Sequence, residues 1–310
     1  MHCKAFTHVA ANNVEGNTTL HELHRFSRVK NAVVIVDESS MVPMSHWAAL
    51  SNLKFVGNAV VALGDMDGQF LPIEDQGREK MLKDLDTSSF MRDLTNGLHV
   101  TLSKYRRGDD FVHYRFVGSL YPRHGRALEE AREMERAEYP TRGGDHPPDT
   151  TLCVSHRNRE KINEAVNSIL RRRRAHAVFV AKPKDFPASE SNQPQDMWLW
   201  PDIILMAKVS LDDSLKNGLR YKVIGECGED SFELIQLDRN DRETGNSFKK
   251  TKDEIAAKLR LTHAVTYFSS QARTIRGSLR LSDTSHERFT LRHLIVGLGR
   301  APNGCDIQVE

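Results

Sequence analysis

The stretch AVVIVDESS, residues 32–40, decides the fold class. Five apolar residues, most of them β-branched, precede the acidic pair Asp37-Glu38, and a second run, NAVVALGD at 58–65, has the same form. Runs of this kind are typical of strands buried on both faces of a parallel sheet, where ligands lie beyond the carboxyl ends of the strands. The sequence therefore predicts an α/β fold with a binding site next to Asp37 and Asp65.

The acidic pair has the residue types that nucleotide hydrolysis requires. One carboxylate, Asp37, can hold Mg²⁺, usually through water, while its neighbour Glu38 can polarise the water that attacks a γ-phosphate. This is the placement of a Walker B pair. The alternative is an ordinary strand end with a solvated acidic pair.

The second junction, GDMDGQFLPI at 64–73, ends in a polar amide between apolar residues. A glutamine beside a nucleotide can donate to a phosphate oxygen or orient water, so Gln69 is a candidate sensor of the γ-phosphate. The alternative is a simple Gly-Asp turn.

Composition restricts the class of protein. The chain has 310 residues, 39% of them hydrophobic and 28% charged, with a net charge of +2. An apolar run of the roughly 18 residues that a membrane span needs is absent, so no membrane association is expected. The four cysteines stand far apart, which predicts neither a zinc site nor disulfides and favours a reducing intracellular compartment, either nucleus, cytoplasm or a viral replication site.

The second half of the chain repeats the α/β pattern with an interruption. The strand TLCVS (151–155) precedes a predicted amphipathic helix that ends in the run Arg171–Arg174. Short β-like pieces separated by polar turns fill about 203–260, and the apolar run LRHLIVGLG at 291–299 follows as a further predicted strand. We expect two domains, 1–100 and 101–310, the second carrying the β insertion.

Several segments resemble the motifs of superfamily 1 helicases of the RecD-like and Pif-like branch, in their standard order. The segment at 6–23 is similar to motif Ia. VVIVDESSMV, GDMDGQFLPI and LSKYRRGDD resemble motifs II, III and IV. HAVTYFSSQARTIRG (263–277) and LRHLIVGLGRAPN (291–303) resemble motifs V and VI. Together these matches span nearly the whole chain.

The resemblance implies two RecA-like P-loop NTPase domains with parallel sheets, the first of them incomplete, and ATP and Mg²⁺ as cofactors. It assigns Asp37 to Mg²⁺, Glu38 to the attacking water and Gln69 to the γ-phosphate. Arg106 and Arg300 would be arginine fingers that stabilise charge on the transferring phosphoryl group. The alternative for each arginine is a surface salt bridge.

The resemblance also implies a partner, single-stranded DNA, with translocation from 5′ to 3′. It places Thr7, His8, Gln271 and Thr274 along the strand, and it makes the β insertion a small β-barrel that clamps it. Capping or turn chemistry is the alternative for the two threonines. RNA is the alternative nucleic acid, as in viral helicases of the same superfamily, and the sequence does not predict an oligomeric state.

The sequence also departs from this family. The GxxxxGK[ST] loop, which cradles the phosphates, does not occur in the 310 residues. We therefore expect a motor that lacks this element at its front and is inactive alone. Ala272 stands where motif V has glycine, and Phe268-Ser269 replaces a His-Lys pair. These changes keep open a second hypothesis, a catalytically silent protein that binds nucleic acid.

Overall fold

The structure is a computed structural model that describes residues 30–72, 84–141, 146–183, 193–210 and 214–310, Ala11, and the backbone of two short strands before residue 20. The chain divides into two compact units. The first contains residues 1–127, 271–273 and 290–299, and the second contains residues 128–270, 274–289 and 300–310. The expected domain boundary at residue 100 stays a prediction.

The first unit is built on a parallel sheet. Its strands are β1 (His2–Ala5), β2 (Asn17–Thr18), β3 (Val33–Asp37) and β4 (Ala59–Ala62), in the order β2-β1-β3-β4. In the register of this sheet Ala5 lies beside Asp37, and Val36 lies beside Ala62. The carboxyl ends of β3 and β4 therefore meet at one edge, as the two apolar runs predict.

The unit also contains three helices: α1 (Met44–Phe55) between β3 and β4, and α2 (Ser89–Leu94) and α3 (Phe111–Ser119) after β4. Side chains cap two of them, because the Ser88 hydroxyl accepts from the N–H of Met91 and the Asp110 carboxylate accepts from the N–H of His113. The core of the unit consists of Val34, Val36, Val42, Trp47, Leu50, Val60, Leu85, Met91 and Leu94.

The second unit opens with α4 (Leu128–Glu138), β5 (Thr150–Cys153) and α5 (His156–Arg171). The Ser155 hydroxyl caps α5 by accepting from the N–H of Asn158. A two-stranded antiparallel pair follows, β6 (Val178–Val180) with β7 (Met197–Leu199). The amphipathic helix that the sequence predicts is α5, and it ends at Arg171, the first of the four consecutive arginines.

The insertion is an antiparallel sheet of five strands: β8 (Ile204–Ala207), β9 (Arg220–Glu226), β10 (Ser231–Leu237), β11 (Glu243–Thr251) and, after α6 (Lys252–Lys258), β12 (Leu259–Leu261). Their order is β11-β10-β9-β8-β12. No ladder joins the two outer strands in the described part of the chain, so the predicted closure into a barrel is not confirmed.

The parallel sheet of the second unit is completed after the insertion. It contains β13 (Ala264–Thr266), β14 (Leu279–Leu281) and β15 (Ile307–Val309) together with β5, in the order β13-β5-β14-β15. The Asn163 side chain of α5 fixes β13, since its amide donates to the carbonyl of Ala264 at 3.0 Å and accepts from the N–H of Ala264 at 2.8 Å.

The apolar run at 291–299 was predicted to be a strand, and this prediction is wrong. Leu291–Leu298 forms a helix, α7, which Thr290 and His293 cap at its start. A short apolar run that is buried on all sides has no periodicity to separate helix from strand, and Leu294 to Leu298 are all buried here. Arg300 therefore follows a helix. None of the described helices is both long and apolar enough to span a membrane.

Candidate nucleotide site

The acidic pair lies in a sharp turn at the carboxyl end of β3. Asp37 is the last residue of the strand and is half-buried. Glu38 has left-handed backbone angles, φ 53° and ψ 44°, which are unfavourable for a residue other than glycine, asparagine or aspartate. The turn leads directly into a short 3₁₀ helix, Ser39–Met41, so two carboxylates and two buried hydroxyls are adjacent.

Burial governs the electrostatics of Asp37. Desolvation raises the pKa of its carboxyl, and a hydrogen bond from the Glu38 backbone opposes this shift. A cation placed beside Asp37 would offset the cost of ionisation in this environment. The carboxylate is therefore suited to hold a positive ion.

Gly64 lets the loop after β4 pass close to the acidic turn. A Cβ atom at residue 64 would lie 2.2 Å from Oγ of Ser39 and 3.0 Å from its backbone nitrogen. Backbone hydrogen bonds join the same segments, from the N–H of Ser39 to the carbonyl of Leu63 and from the N–H of Leu63 to the carbonyl of Val36, both at 2.8 Å. Only glycine fits without a shift of this backbone.

Gln69 is tied to the acidic turn by a side-chain hydrogen bond. The hydroxyl of Ser40, which is 2% exposed, donates to Oε1 of Gln69 at 2.6 Å. The structure thus brings together three of the predicted site residues, Asp37, Glu38 and Gln69. Ser40 was not predicted, since a serine after an acidic pair carries no distinctive sequence signal.

Asp65 has a structural task in the loop. Its Oδ1 accepts from the N–H groups of Asp67 at 3.2 Å and Gly68 at 2.8 Å, and its Oδ2 accepts from the Tyr121 hydroxyl at 2.5 Å. A Cβ atom at Gly68 would lie 2.5 Å from Oδ2 of Asp65 and 2.7 Å from the Tyr121 oxygen. These contacts hold residues 65–69 in one conformation, and they occupy the carboxylate that we expected to face a ligand.

The structure distinguishes the two adjacent arginines of motif IV. Arg106, the predicted arginine finger, is exposed, whereas Arg107 is half-buried. Burial lowers the pKa of Arg107, and charge interactions with Tyr105, Glu38 and Tyr121 act in the opposite direction. Of these two arginines, Arg107 is the one with a charge interaction with Glu38. Sequence alone could not choose between two neighbouring arginines.

The remaining predicted residues are more dispersed. Gln271 belongs to the first unit and is buried, and both polar atoms of its side chain lack a hydrogen-bond partner in the described part of the chain. Ala272, next to it, has a φ of 61°, a conformation that glycine would adopt at lower cost. Thr274 and Arg300 belong to the second unit, the former half-buried and the latter buried. Thr7 and His8 lie outside the described residues.

The donor set fits Mg²⁺ shared with a phosphate. Mg²⁺ is usually bound by one or two carboxylates plus phosphates and water, and Asp37 with Glu38 supplies that number. Among the described residues no group of three or more His, Cys, Asp or Glu side chains could hold a metal by itself. The sequence contains no GxxxxGK[ST] loop to bind the phosphates of a nucleotide. Asp37, Glu38 and Gln69 therefore fit the γ-phosphate end of ATP and not the whole nucleotide.

No family model and no curated protein matches the sequence. Solved structures do match. The Pif1 helicase from Candida albicans is 19% identical with a TM-score of 0.67, covering 99% of this chain and 84% of that one. A structure of two Pif1 helicases on forked double-stranded DNA is 17% identical with a TM-score of 0.68, covering 99% and 81%.

Bacteroides Pif1 in complex with ADP-AlF3 and single-stranded DNA is 17% identical with a TM-score of 0.64, covering 100% of this chain and 82% of that one. Identities this low establish the fold and nothing finer. These structural matches confirm the predicted fold class: the chain is an α/β protein with the two-domain RecA-like fold of Pif1 helicases.

Proposed function

We propose that this chain is the body of a superfamily 1 helicase motor, which couples ATP hydrolysis to movement on single-stranded DNA. One observation carries the proposal. The Asp37-Glu38 turn is joined through Ser40 to Gln69 in a chain that has the fold of Pif1 helicases. The solved complex of Bacteroides Pif1 with ADP-AlF3 and single-stranded DNA gives further support.

The proposed chemistry assigns one task to each residue of the site. Asp37, with help from Glu38, would hold Mg²⁺, which when bound neutralises charge on the β- and γ-phosphates. Glu38 would orient the attacking water and accept its proton. Gln69 would contact the γ-phosphate, and its bond to Ser40 would pass a change in that contact to the acidic turn.

Arginine would stabilise the charge that develops on the transferring phosphoryl group. Arg107 is better supported for this task than the predicted Arg106, because its charge acts on Glu38. Arg300, in motif VI, remains the proposed second arginine finger. Gln271 and Thr274, with Thr7 and His8, remain the proposed contacts to the DNA strand, and translocation from 5′ to 3′ remains part of the proposal.

The absence of a phosphate cradle favours a second candidate. The sequence contains no GxxxxGK[ST] segment, and Ala272 has a backbone conformation that suits glycine. A protein that binds nucleic acid without hydrolysis would tolerate both features. Under either candidate, this chain by itself should hydrolyse ATP weakly or not at all.

The test is ATP hydrolysis stimulated by single strands. The chain is compared with a version preceded by a strand, a GxxxxGK[ST] loop and a helix, and with the Glu38→Gln variant of that version. Hydrolysis that appears only in the loop-bearing version and is lost in Glu38→Gln supports the motor. Binding of single strands without hydrolysis in every version overturns it in favour of the silent binding protein.

The same assay with matched oligonucleotides separates the nucleic acids. Stimulation by a DNA strand that exceeds stimulation by an RNA strand of the same sequence supports the DNA motor. The reverse preference would assign the chain to the RNA helicases of this superfamily.

A further inference from the structure

The end of α5 carries a concentrated positive charge. Arg171 is the last residue of this helix, and Arg172 to Arg174 continue from it in a turn whose N–H groups bond to the carbonyls of Ile169, Leu170 and Arg171. All four arginines are exposed. We call these four residues, with Phe179 and Trp198, the arginine surface.

The charge of this surface is not balanced by acidic side chains in the described part of the chain. None of the four arginines forms an ion pair there, and Arg173 instead contacts His146, with 2.9 Å between Nη1 and Nδ1. Some basic residues elsewhere in the unit have carboxylate partners, as in the pairs Arg132 with Glu129 and Lys222 with Glu243. The carboxyl end of a helix offers roughly half a negative charge, which is far short of four positive ones.

Aromatic rings lie within the same surface. The guanidinium carbon of Arg171 is 3.5 Å from the ring centroid of Trp198, and the ring centroids of Trp198 and Phe179 are 5.1 Å apart. Phe179 is 46% exposed. The backbone of Trp198 is held rigidly, since its N–H donates to Oδ1 of Asn167 at 2.8 Å and its carbonyl accepts from Nδ2 of Asn167 at 3.0 Å.

Guanidinium groups beside an exposed aromatic ring suit one class of partner. Arginines neutralise the phosphates of a nucleic acid, and an aromatic face stacks on an unpaired base. A duplex would engage the arginines and leave Phe179 without a base. The combination therefore favours a single strand.

The arginine surface is separated from the motif V segment within the second unit. The helix α5 begins directly after the carboxyl end of β5. The neighbouring strand β13 lies at the start of the motif V segment and ends at the same edge of this parallel sheet. A helix of 16 residues is about 24 Å long, so its last turn lies well away from its first.

We propose that the arginine surface is a second contact for single-stranded nucleic acid, distinct from the part of motif V that lies in the second unit. The identity of the partner rests on the proposed function, whereas the position of the contact rests on the charge and the rings described above. The arginines would bind two or more phosphates, and Phe179 would stack on a base.

Binding of fluorescent oligonucleotides to the full chain, measured by anisotropy over a series of salt concentrations, tests this proposal. The double variant Arg172→Ala with Arg173→Ala should lower single-strand affinity about ten-fold near 0.1 M salt and reduce the slope of log affinity against log salt by about 1.4. The control is Arg136→Ala with Arg288→Ala, which removes the same charge from exposed arginines of the same unit and should change the affinity little.

The variant Phe179→Ala should lower affinity for single strands about five-fold or more and leave affinity for a duplex unchanged. If Arg172→Ala with Arg173→Ala behaves as the control does, the arginine surface is not a contact and the proposal fails while the motor can stand. The arginine variant could lower the affinity for single strands and for duplex equally while Phe179→Ala changes neither affinity. In that case the partner is duplex and the single-strand proposal fails. If the unaltered chain binds no nucleic acid, the proposed function fails with it.

Discussion

The hydroxyl of Ser40 donates a hydrogen bond to Oε1 of Gln69 at 2.6 Å, which links the loop after β4 to the acidic turn after β3. The two residues are 29 positions apart in the sequence. This bond fixes the side-chain amide of Gln69. A change in the position of this amide would therefore be transmitted through Ser40 to the turn that contains Asp37 and Glu38.

We predict that Ser40→Ala lowers the free energy of unfolding by about 1–3 kcal/mol, because it leaves a partly buried amide without its donor. In the loop-bearing version it should also lower ATP hydrolysis. Urea denaturation and an ATPase assay measure the two effects. Ser51→Ala is the control, since the Ser51 hydroxyl donates to an exposed helix carbonyl, that of Ala48. Equal effects of the two substitutions would refute the link.

Gly64 should be far less tolerant of a side chain than Gly118. A Cβ atom at Gly64 would clash with Ser39, whereas one at Gly118, in α3, would meet no atom within 4 Å. We expect Gly64→Ala to destabilise the fold by about 1–3 kcal/mol. Gly118→Ala should stabilise it by up to about 1 kcal/mol, since alanine is the better helix former. Denaturant titrations of both variants check the contrast, which a loss of stability in both would contradict.

Arg107 and Arg106 should differ in their effect on hydrolysis. In the loop-bearing version, we predict that Arg107→Ala lowers kcat by about a hundred-fold, because a positive charge that interacts with Glu38 is lost. Arg106→Ala should cost much less, since its side chain is exposed. Steady-state kinetics decide between them. A larger loss in Arg106→Ala would restore the assignment that the motif resemblance implies.

The stability of the second unit should fall as pH rises from about 5 to 8. Burial raises the pKa of Glu135 to about 8, despite the opposing charges of Arg136 and Arg132. The folded state therefore keeps a proton that the unfolded state has released, and the stability that this proton contributes is lost as pH rises toward the folded pKa.

Glu135→Gln should remove this dependence. At pH 8 we expect the variant to have a higher melting temperature than the unaltered chain and a free energy of unfolding that is larger by more than about 1 kcal/mol. Near pH 5 both differences should disappear. Thermal melts at several pH values measure it. Glu133→Gln, at an exposed position of the same helix, is the control. An advantage of Glu135→Gln that does not vary with pH would show that the carboxyl is not protonated in the fold.

The first unit should self-associate through an exposed apolar stretch. Leu98, Val100 and Leu102 are 80%, 81% and 82% exposed and alternate as in a strand, and β4 pairs with β3 alone among the described strands. Exposed sheet edges and apolar patches promote association. Changing the three residues to serine should reduce the mass seen by light scattering at high concentration. Phe55→Ser, at an isolated apolar residue that is 86% exposed, should not.

Much of the fold followed from the sequence because buried parallel strands have a simple pattern. The apolar runs at 32–37 and 58–65 became β3 and β4, and the amphipathic stretch from His156 became α5. The strand β11 was not predicted, because GNSFKK reads as a polar loop. It forms by pairing with β10, where Leu234 lies beside Phe248. The helix α7 was missed for the opposite reason, since an apolar run buried on every side has no periodicity.

The sequence predicted which residues form the candidate site better than it predicted the contacts among them. Strand ends predicted a site next to Asp37 and Asp65, because parallel strands end at the same edge, and the residue types of Glu38 and Gln69 suited them to that site. No pattern in the sequence could show that Asp65 would be used by its own turn. Nor could it show that Arg107 would be half-buried while Arg106 is exposed, because both follow from packing against residues distant in the sequence.

The left-handed backbone of Glu38 sets the stability of the fold against the presence of a carboxylate at this position. A residue with a long side chain at φ 53° costs stability that glycine or asparagine would not. Glycine or asparagine at this position would avoid that cost and stabilise the fold. The chain thus carries the carboxylate of Glu38 at the expense of its own stability, so this position separates what folding favours from what a carboxylate at the end of β3 can do.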